Sequence, residues 1–363
     1  MKKVCMLLSL AAGLLALSAC NEFHMKAPTG ELSVVIVDDD VIATKASDTS
    51  ERSYERKIND LQIFVFDDGT LFRYERIDRN LTSFPYTKSF GQIKSGTYTV
   101  WAVANADNLS DVTSEEELAE TFIFLTDCGL TDATGFVMAG SRTVTVGNGS
   151  TATAAVSITR FASRVRLVSV TNEVPEAYSD AGAVTVQGVF LINALSAWNL
   201  AGSGSASDWV NLGGRDEGAE ASSDPGDYIS SIGQVNPLEY ADHVYKDETV
   251  RIVNGSAHTF SNCCLYSFPN DVSSDHTGNT ATGYSGALTR LVVLATVNGE
   301  DWWYPVTLYK DGSGLERNTS YDVRLTLRGT GSDDPNEPVG KGNLTAVVSV
   351  TTWEAGAEYD ETI

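Results

Sequence analysis

The sequence has little of what clustered chemistry needs. Its four histidines, His24, His243, His258 and His276, are scattered over 363 residues, and no Cys-x-x-Cys occurs. That leaves no pattern for a zinc site. A hydrolase elbow, a phosphate-binding loop and a dinucleotide fingerprint are also missing, so the chain reads as a non-enzyme that needs no cofactor. Asp38-Asp39-Asp40 and Asp67-Asp68-Gly69 are acidic, but neither continues into the spaced ligands of a calcium loop. Basic residues are scarce: 25 Lys and Arg stand against 48 Asp and Glu, for a net charge of −23. Nucleic acid and anionic lipid headgroups both demand a basic surface, so neither is expected as a partner. Cysteine is sparse as well. Cys128, Cys263 and Cys264 remain once Cys5 and Cys20 are set aside. A Cys128–Cys263 or Cys128–Cys264 disulfide is open in an oxidising compartment, with burial as small apolar groups the preferred reading.

After the first residues no apolar run is long enough to span a bilayer. The one that exists, from Val4 to Leu17, follows Lys2 and Lys3 and ends in Leu17-Ser18-Ala19-Cys20. A short positive start, an apolar stretch and small residues before a cysteine form the lipobox of a bacterial lipoprotein signal peptide. Cleavage between Ala19 and Cys20 then leaves Cys20 acylated. Each buried methylene adds roughly 0.8 kcal/mol of membrane affinity, so several chains hold the protein at the membrane. Asn21 is not aspartate, so nothing argues for inner-membrane retention.

Strand-like alternation dominates the rest. Leu61-Gln62-Ile63-Phe64-Val65-Phe66 meets Asp67-Asp68-Gly69-Thr70 and returns through Leu71-Phe72-Arg73-Tyr74, a hairpin around an acidic-glycine turn. Further strands are expected over 97–104, 142–146, 151–158, 163–170, 184–192, 264–268, 289–297, 302–308 and 321–327. One helix is expected within 111–120, with Ser114 as its N-cap. Pro175 and small polar residues mark a domain boundary over 171–183, and 201–227 reads as a surface loop. The expected fold is all-β: two β-sandwich-like, transthyretin-like domains in series. Residues 1–19 are the signal peptide, 20–45 a propeptide, 46–172 and 173–342 the domains, and 343–363 a terminal strand segment.

The two ends of the mature chain echo each other. Aligning Leu32 with Leu344 lays Gly30-Glu31-Leu32-Ser33-Val34-Val35-Ile36 over Gly342-Asn343-Leu344-Thr345-Ala346-Val347-Val348. Alternate apolar residues let both segments offer one face to the same groove: Leu32, Val34 and Ile36 in a removable strand, and Leu344, Ala346, Val348 and Val350, with Trp353 as an anchoring aromatic, in a donor strand. Between the first strand and the body lies a polar segment, rich in small residues and studded with the basic residues Lys45, Arg52 and Arg56, the composition of a protease-sensitive loop.

In this order and spacing the features resemble the type V pilins of Bacteroidales, the FimA-like fimbrillins. The resemblance rests on the lipobox at Cys20, Thr44-Lys45-Ala46, Ile58 to Asp67, Gly96 to Asn105, Phe136-Val137-Met138-Ala139-Gly140, Arg160-Phe161-Ala162-Ser163-Arg164-Val165, Leu265 to Asn270, Trp303-Tyr304-Pro305-Val306, and the stretches from Arg317 and from Gly329. It implies a lipoprotein precursor cut by a trypsin-like protease between Lys45 and Ala46, with Arg52 and Arg56 as fallback sites. The family favours arginine at the cut, so Lys45 is a departure. The groove left behind would take the 343–363 segment of another copy, or of another fimbrial subunit, building an adhesive surface pilus. A cuttable loop together with a donor-like end favours a stalk subunit over an anchor or a tip. The rival reading is a surface glycan-binding lipoprotein using Trp302-Trp303-Tyr304.

Overall fold

A computed structural model describes residues 27–38, 53–126, 135–176, 183–202, 209–216, 228–229, 250–261, 263–270, 272, 288–309, 314–352 and 359–362. The first half contributes β1 (Thr29–Asp38), β2 (Leu61–Asp67), β3 (Thr70–Ile77), β4 (Tyr86–Lys94) and β5 (Gly96–Ala104). Helix α1 (Glu115–Glu120), β6 (Phe122–Phe124), β7 (Met138–Val146) and β8 (Thr151–Arg160) follow. Seven of these strands form one sheet in the order β3-β2-β5-β7-β8-β1-β4. It curls over a single core, bringing Leu61, Ile63 and Val65 of β2 and Val100 and Ala102 of β5 against Leu32, Val34 and Ile36 of β1 and Val156 and Ile158 of β8.

The sequence of β2 explains its place. A run with no polar alternation belongs in a strand buried on both faces, and Phe64 and Phe66 indeed turn to a second cluster while their neighbours fill the first. Gln62, wholly buried among them, is satisfied: its amide donates to the carbonyls of Ala106 and Asp107, and its oxygen accepts from Tyr74 and the Leu109 backbone. The expected hairpin turn has Asp68 and Gly69 at φ 49° and 75°, the left-handed pair that suits a tight two-residue turn. The Ser114 hydroxyl accepts from the Glu117 amide at 3.1 Å, capping α1.

The second half contributes β9 (Ser163–Asn172), β10 (Ala183–Ile192), β11 (Ala194–Leu195), β12 (Ala197–Asn199), β13 (Trp209–Val210), β14 (Val250–Val253), β15 (Ala257–Thr259) and β16 (Cys264–Ser267). Then come β17 (Arg290–Val297), β18 (Glu300–Thr307), β19 (Thr319–Leu327), β20 (Leu344–Thr352) and β21 (Tyr359–Thr362). One sheet runs β14-β10-β17-β18; the other runs β15-β9-β19-β20-β21, with β16 also on β9. Their inner faces share one apolar core.

Strand β9 precedes the expected boundary at 172, yet its ladder partners β15, β16 and β19 all come from the later half. Sheet membership therefore changes at Phe161 and Ala162, between β8 and β9. Sequence alternation fixes which side chains face inward, but not which non-local strand a segment pairs with. Within the expected surface loop over 201–227, β13 pairs with β11, tying Trp209 and Val210 to the domain.

Candidate functional site

β1 lies one strand in from the sheet's end. Along one edge it runs parallel to β8, from Glu31 opposite Thr151 to Asp38 opposite Ile158. Along the other it is antiparallel to β4, from Thr29 opposite Lys94 to Ile36 opposite Tyr86, with a bulge between Leu32 and Ser33 beside Gly91 at φ 66°. β1 is also the strand that links β4 into the sheet. Leu32, Val34 and Ile36 are at most 1% exposed, and side chains of this kind contribute roughly 1.5–3 kcal/mol each on burial. At the strand's start Gly30 touches the β7–β8 turn so closely that a Cβ there would sit 2.3 Å from the Gly147 oxygen and 2.7 Å from the Ser150 oxygen.

The expected maturation sites Lys45, Ala46 and Arg52 lie outside the described residues, as do Ala19, Cys20 and Trp353. The chain resumes in a short 3-10 turn, Ser53–Arg56, where a feature the sequence reading missed is found. Glu55 is wholly buried. Its carboxylate meets the Arg164 guanidinium at 3.0 Å and accepts the Tyr266 hydroxyl at 2.6 Å. Arg160, also buried, donates from Nε to the Glu55 carbonyl at 2.7 Å and from Nη1 to Asn318 at 3.2 Å. Burial first, and the Glu55 carboxylate second, push the Tyr266 phenol well above its ordinary range. The signal for this site was faint: arginines at 160 and 164, four apart in strand-like sequence within an acidic chain, with one acid among many to pair them.

Asn105 holds the next residues. In the left-handed region at φ 58°, it donates from Nδ2 to the carbonyls of Lys57 and Phe136 and accepts the Asn59 amide at 2.8 Å. Arg317 clamps the junction of the halves, donating to the carbonyls of Arg160, Ala139 and Thr159. It lies 4.1 Å over the Phe161 ring, and burial lowers its pKa to about 10. The segment after the loop is thus held by hydrogen bonds and an ion pair to Asn105, Arg160, Arg164 and Tyr266, while Ile58 joins the core that β1 also fills.

The other echo segment, β20, is antiparallel to β19 along its whole length, from Leu344 opposite Leu327 to Thr352 opposite Thr319, and carries β21 on its far edge. Leu344, Ala346, Val348 and Val350 face the second domain's core and are 7%, 4%, 2% and 6% exposed. Under the Leu32–Leu344 alignment Leu344, Ala346 and Val348 fall on Leu32, Val34 and Ile36. Structure therefore brings each segment to its own domain, with matching facing.

Trp303 is buried and meets Phe190 edge-on at 5.6 Å, while Trp302 packs on the other core, so neither ring forms an open platform for a sugar. Cys263 and Cys264 are buried as expected; Cys128 lies outside the described residues. Among the described residues no group of three metal-ligating side chains occurs, and no helix is long and apolar enough to cross a membrane.

No curated protein sequence matches the chain. Among solved structures, a candidate cell adhesion protein from Bacteroides eggerthii is 19% identical, covers 90% of this chain and 97% of its own, and has a TM-score of 0.58. A fimbrilin (FimA) from Porphyromonas gingivalis is 15% identical, with coverage of 89% and 97% and a TM-score of 0.59. A second candidate cell adhesion protein, from Parabacteroides distasonis, is 19% identical, with coverage of 90% and 99% and a TM-score of 0.54. At these identities the likeness is one of fold, and it extends over both halves of the chain. A family description, the major fimbrial subunit protein (FimA), matches residues 30–178, which take in β1, the loop, the Glu55 turn and β9. Over those residues the chain is similar to the FimA family of fimbrial subunits.

Proposed function

We propose that this fimbrial subunit is exported as a lipoprotein precursor anchored through Cys20 to the outer membrane, and is activated by a trypsin-like cut that removes β1. The activated copy then polymerises when the 343–363 segment of another copy, or of a companion fimbrial subunit, enters the vacated slot. The product is the stalk of an adhesive surface pilus. One observation carries the reading: β1 is buried, is the link between β8 and β4, and is followed by a polar segment that carries Lys45 and Arg52. Its loss opens a two-edged slot rather than a bare sheet edge, and unpaired edges beside an apolar trough strongly favour a replacement strand.

The Glu55 and Asn105 contacts support a cut upstream of Tyr54, because they keep the new N-terminus fixed without β1. Arg56 is the weakest of the three candidate positions. It sits inside the 3-10 turn, and a cut after it would detach Glu55 from the body. Donation requires β20 to leave β19. The same side chains are buried before and after, while one full ladder with a short second one becomes two.

Treating purified precursor with trypsin and sequencing the new N-terminus tests this. A start at Ala46 and detergent-resistant ladders are expected, both lost on Lys45→Ala combined with Arg52→Ala. A cleaved protein that stays a stable monomer contradicts the reading.

A further inference from the structure

Two glycines stand at corresponding places in the terminal echo, and only one is needed where it is found. At Gly30 a Cβ would collide with backbone oxygens of Gly147 and Ser150 at 2.3 and 2.7 Å, so the slot admits nothing larger than glycine there. Backbone cannot be moved aside as cheaply as a flexible side chain. Gly342 lies in the turn before β20, outside the left-handed region, and a Cβ added to it meets nothing within 4 Å. Nothing in its own domain calls for glycine.

We infer that Gly342 sets the register of exchange, entering a neighbouring copy's slot where Gly30 stood, so that Leu344, Ala346 and Val348 replace Leu32, Val34 and Ile36. This rests on the strand-exchange reading and adds the occupant's alignment. Direction fits, because a segment replacing β1 in the same sense runs parallel to β8 and antiparallel to β4. Facing fits too: Leu344, Ala346 and Val348 are already an inward set, with Thr345 and Val347 between them turned outward as Ser33 and Val35 are. Ala346 is smaller than Val34, so packing is looser at that one position.

The alternatives are poorer. Slipping by one residue turns every side chain to the wrong face. Slipping by two brings Gly340 to the Gly30 position but puts Gly342 where Leu32 was, leaving the trough unfilled there. In β21, Tyr359-Asp360-Glu361-Thr362, either facing points a carboxylate inward.

Register is read by disulfide trapping in the trypsin-activated full chain. Ser33 faces Ser89 across β1 and β4, so in the proposed alignment Thr345→Cys of one copy bonds Ser89→Cys of the next. Crosslinked ladders are expected for that pair and not for Val347→Cys with Ser89→Cys; the reverse pattern overturns the inference. Gly342→Val should leave precursor stability unchanged yet reduce the Thr345–Ser89 crosslink at least tenfold. An undiminished crosslink in that variant overturns the register while leaving strand exchange standing. Absence of any polymer from activated wild-type protein removes the exchange reading, and the register with it.

Discussion

At the residue scale the clearest commitment is the buried Glu55. Removing one partner from a buried pair leaves an uncompensated charge and costs roughly 3–5 kcal/mol. Glu55→Ala should lower the urea stability of the precursor by about that amount, because the buried Arg164 guanidinium loses its carboxylate. The replacement of both ions, Glu55→Leu with Arg164→Met, should cost much less. Equal losses for the single and double variants would show that the pair is not coupled. Tyr266 adds a pH signature. Its phenol is raised well above its ordinary range, so the folded state holds a proton that the unfolded state gives up. The corresponding stability is present below pH about 10 and lost as pH climbs beyond it. Tyr266→Phe should flatten that alkaline decline while weakening the protein at neutral pH, as followed by denaturant midpoints from pH 8 to 11. Little of this was legible beforehand, because an ion pair between residues 55 and 164 has no local sequence signature.

At the element scale the removable strand makes a different demand. Leu32→Ala opens a cavity in the first core and should cost the precursor roughly 2–5 kcal/mol. Once β1 has been cut away, the same substitution should leave the thermal stability of the finished polymer unchanged; a polymer weakened to the same degree would mean that β1 stays. Most strands were legible because they alternate cleanly, as β8 and β20 do. β4 was not, and its residues show why. Tyr86 and Phe90 share one parity and Ile93 the other, because the bulge facing Gly91 shifts the register midway. An irregularity that suits the slot's far wall erased the pattern that would have announced it. β9 was legible as a strand but not as a member of the second sheet, since its parallel partner β19 lies some 150 residues downstream.

At the scale of the whole molecule, two sandwiches share a third cluster, in which Phe64, Phe136 and Phe161 meet Leu195, Trp198, Tyr266 and Phe268. That seam, with Arg317 and the Glu55 network beside it, couples the halves without using β1 or β20. A seam so built is what the proposed exchange of terminal strands would need, because it lies apart from both strands. The two-domain all-β architecture was readable from alternation and turn signals. The proposed exchange was readable only as matching ends around a polar loop that carries Lys45 and Arg52, because any two strands look alike until their neighbours are known.

In the proposed cycle the edges of β8 and β4 are covered by β1 before activation and by another subunit afterwards. Amide hydrogen exchange over 86–94 and 151–158 measures this directly, in three samples: precursor, trypsin-activated chain lacking 343–363, and activated full-length polymer. Strong protection in the precursor, loss of protection in the truncated monomer and its return in the polymer is the predicted result. Protection that survives in the truncated monomer, or fails to return in the polymer, would contradict strand exchange.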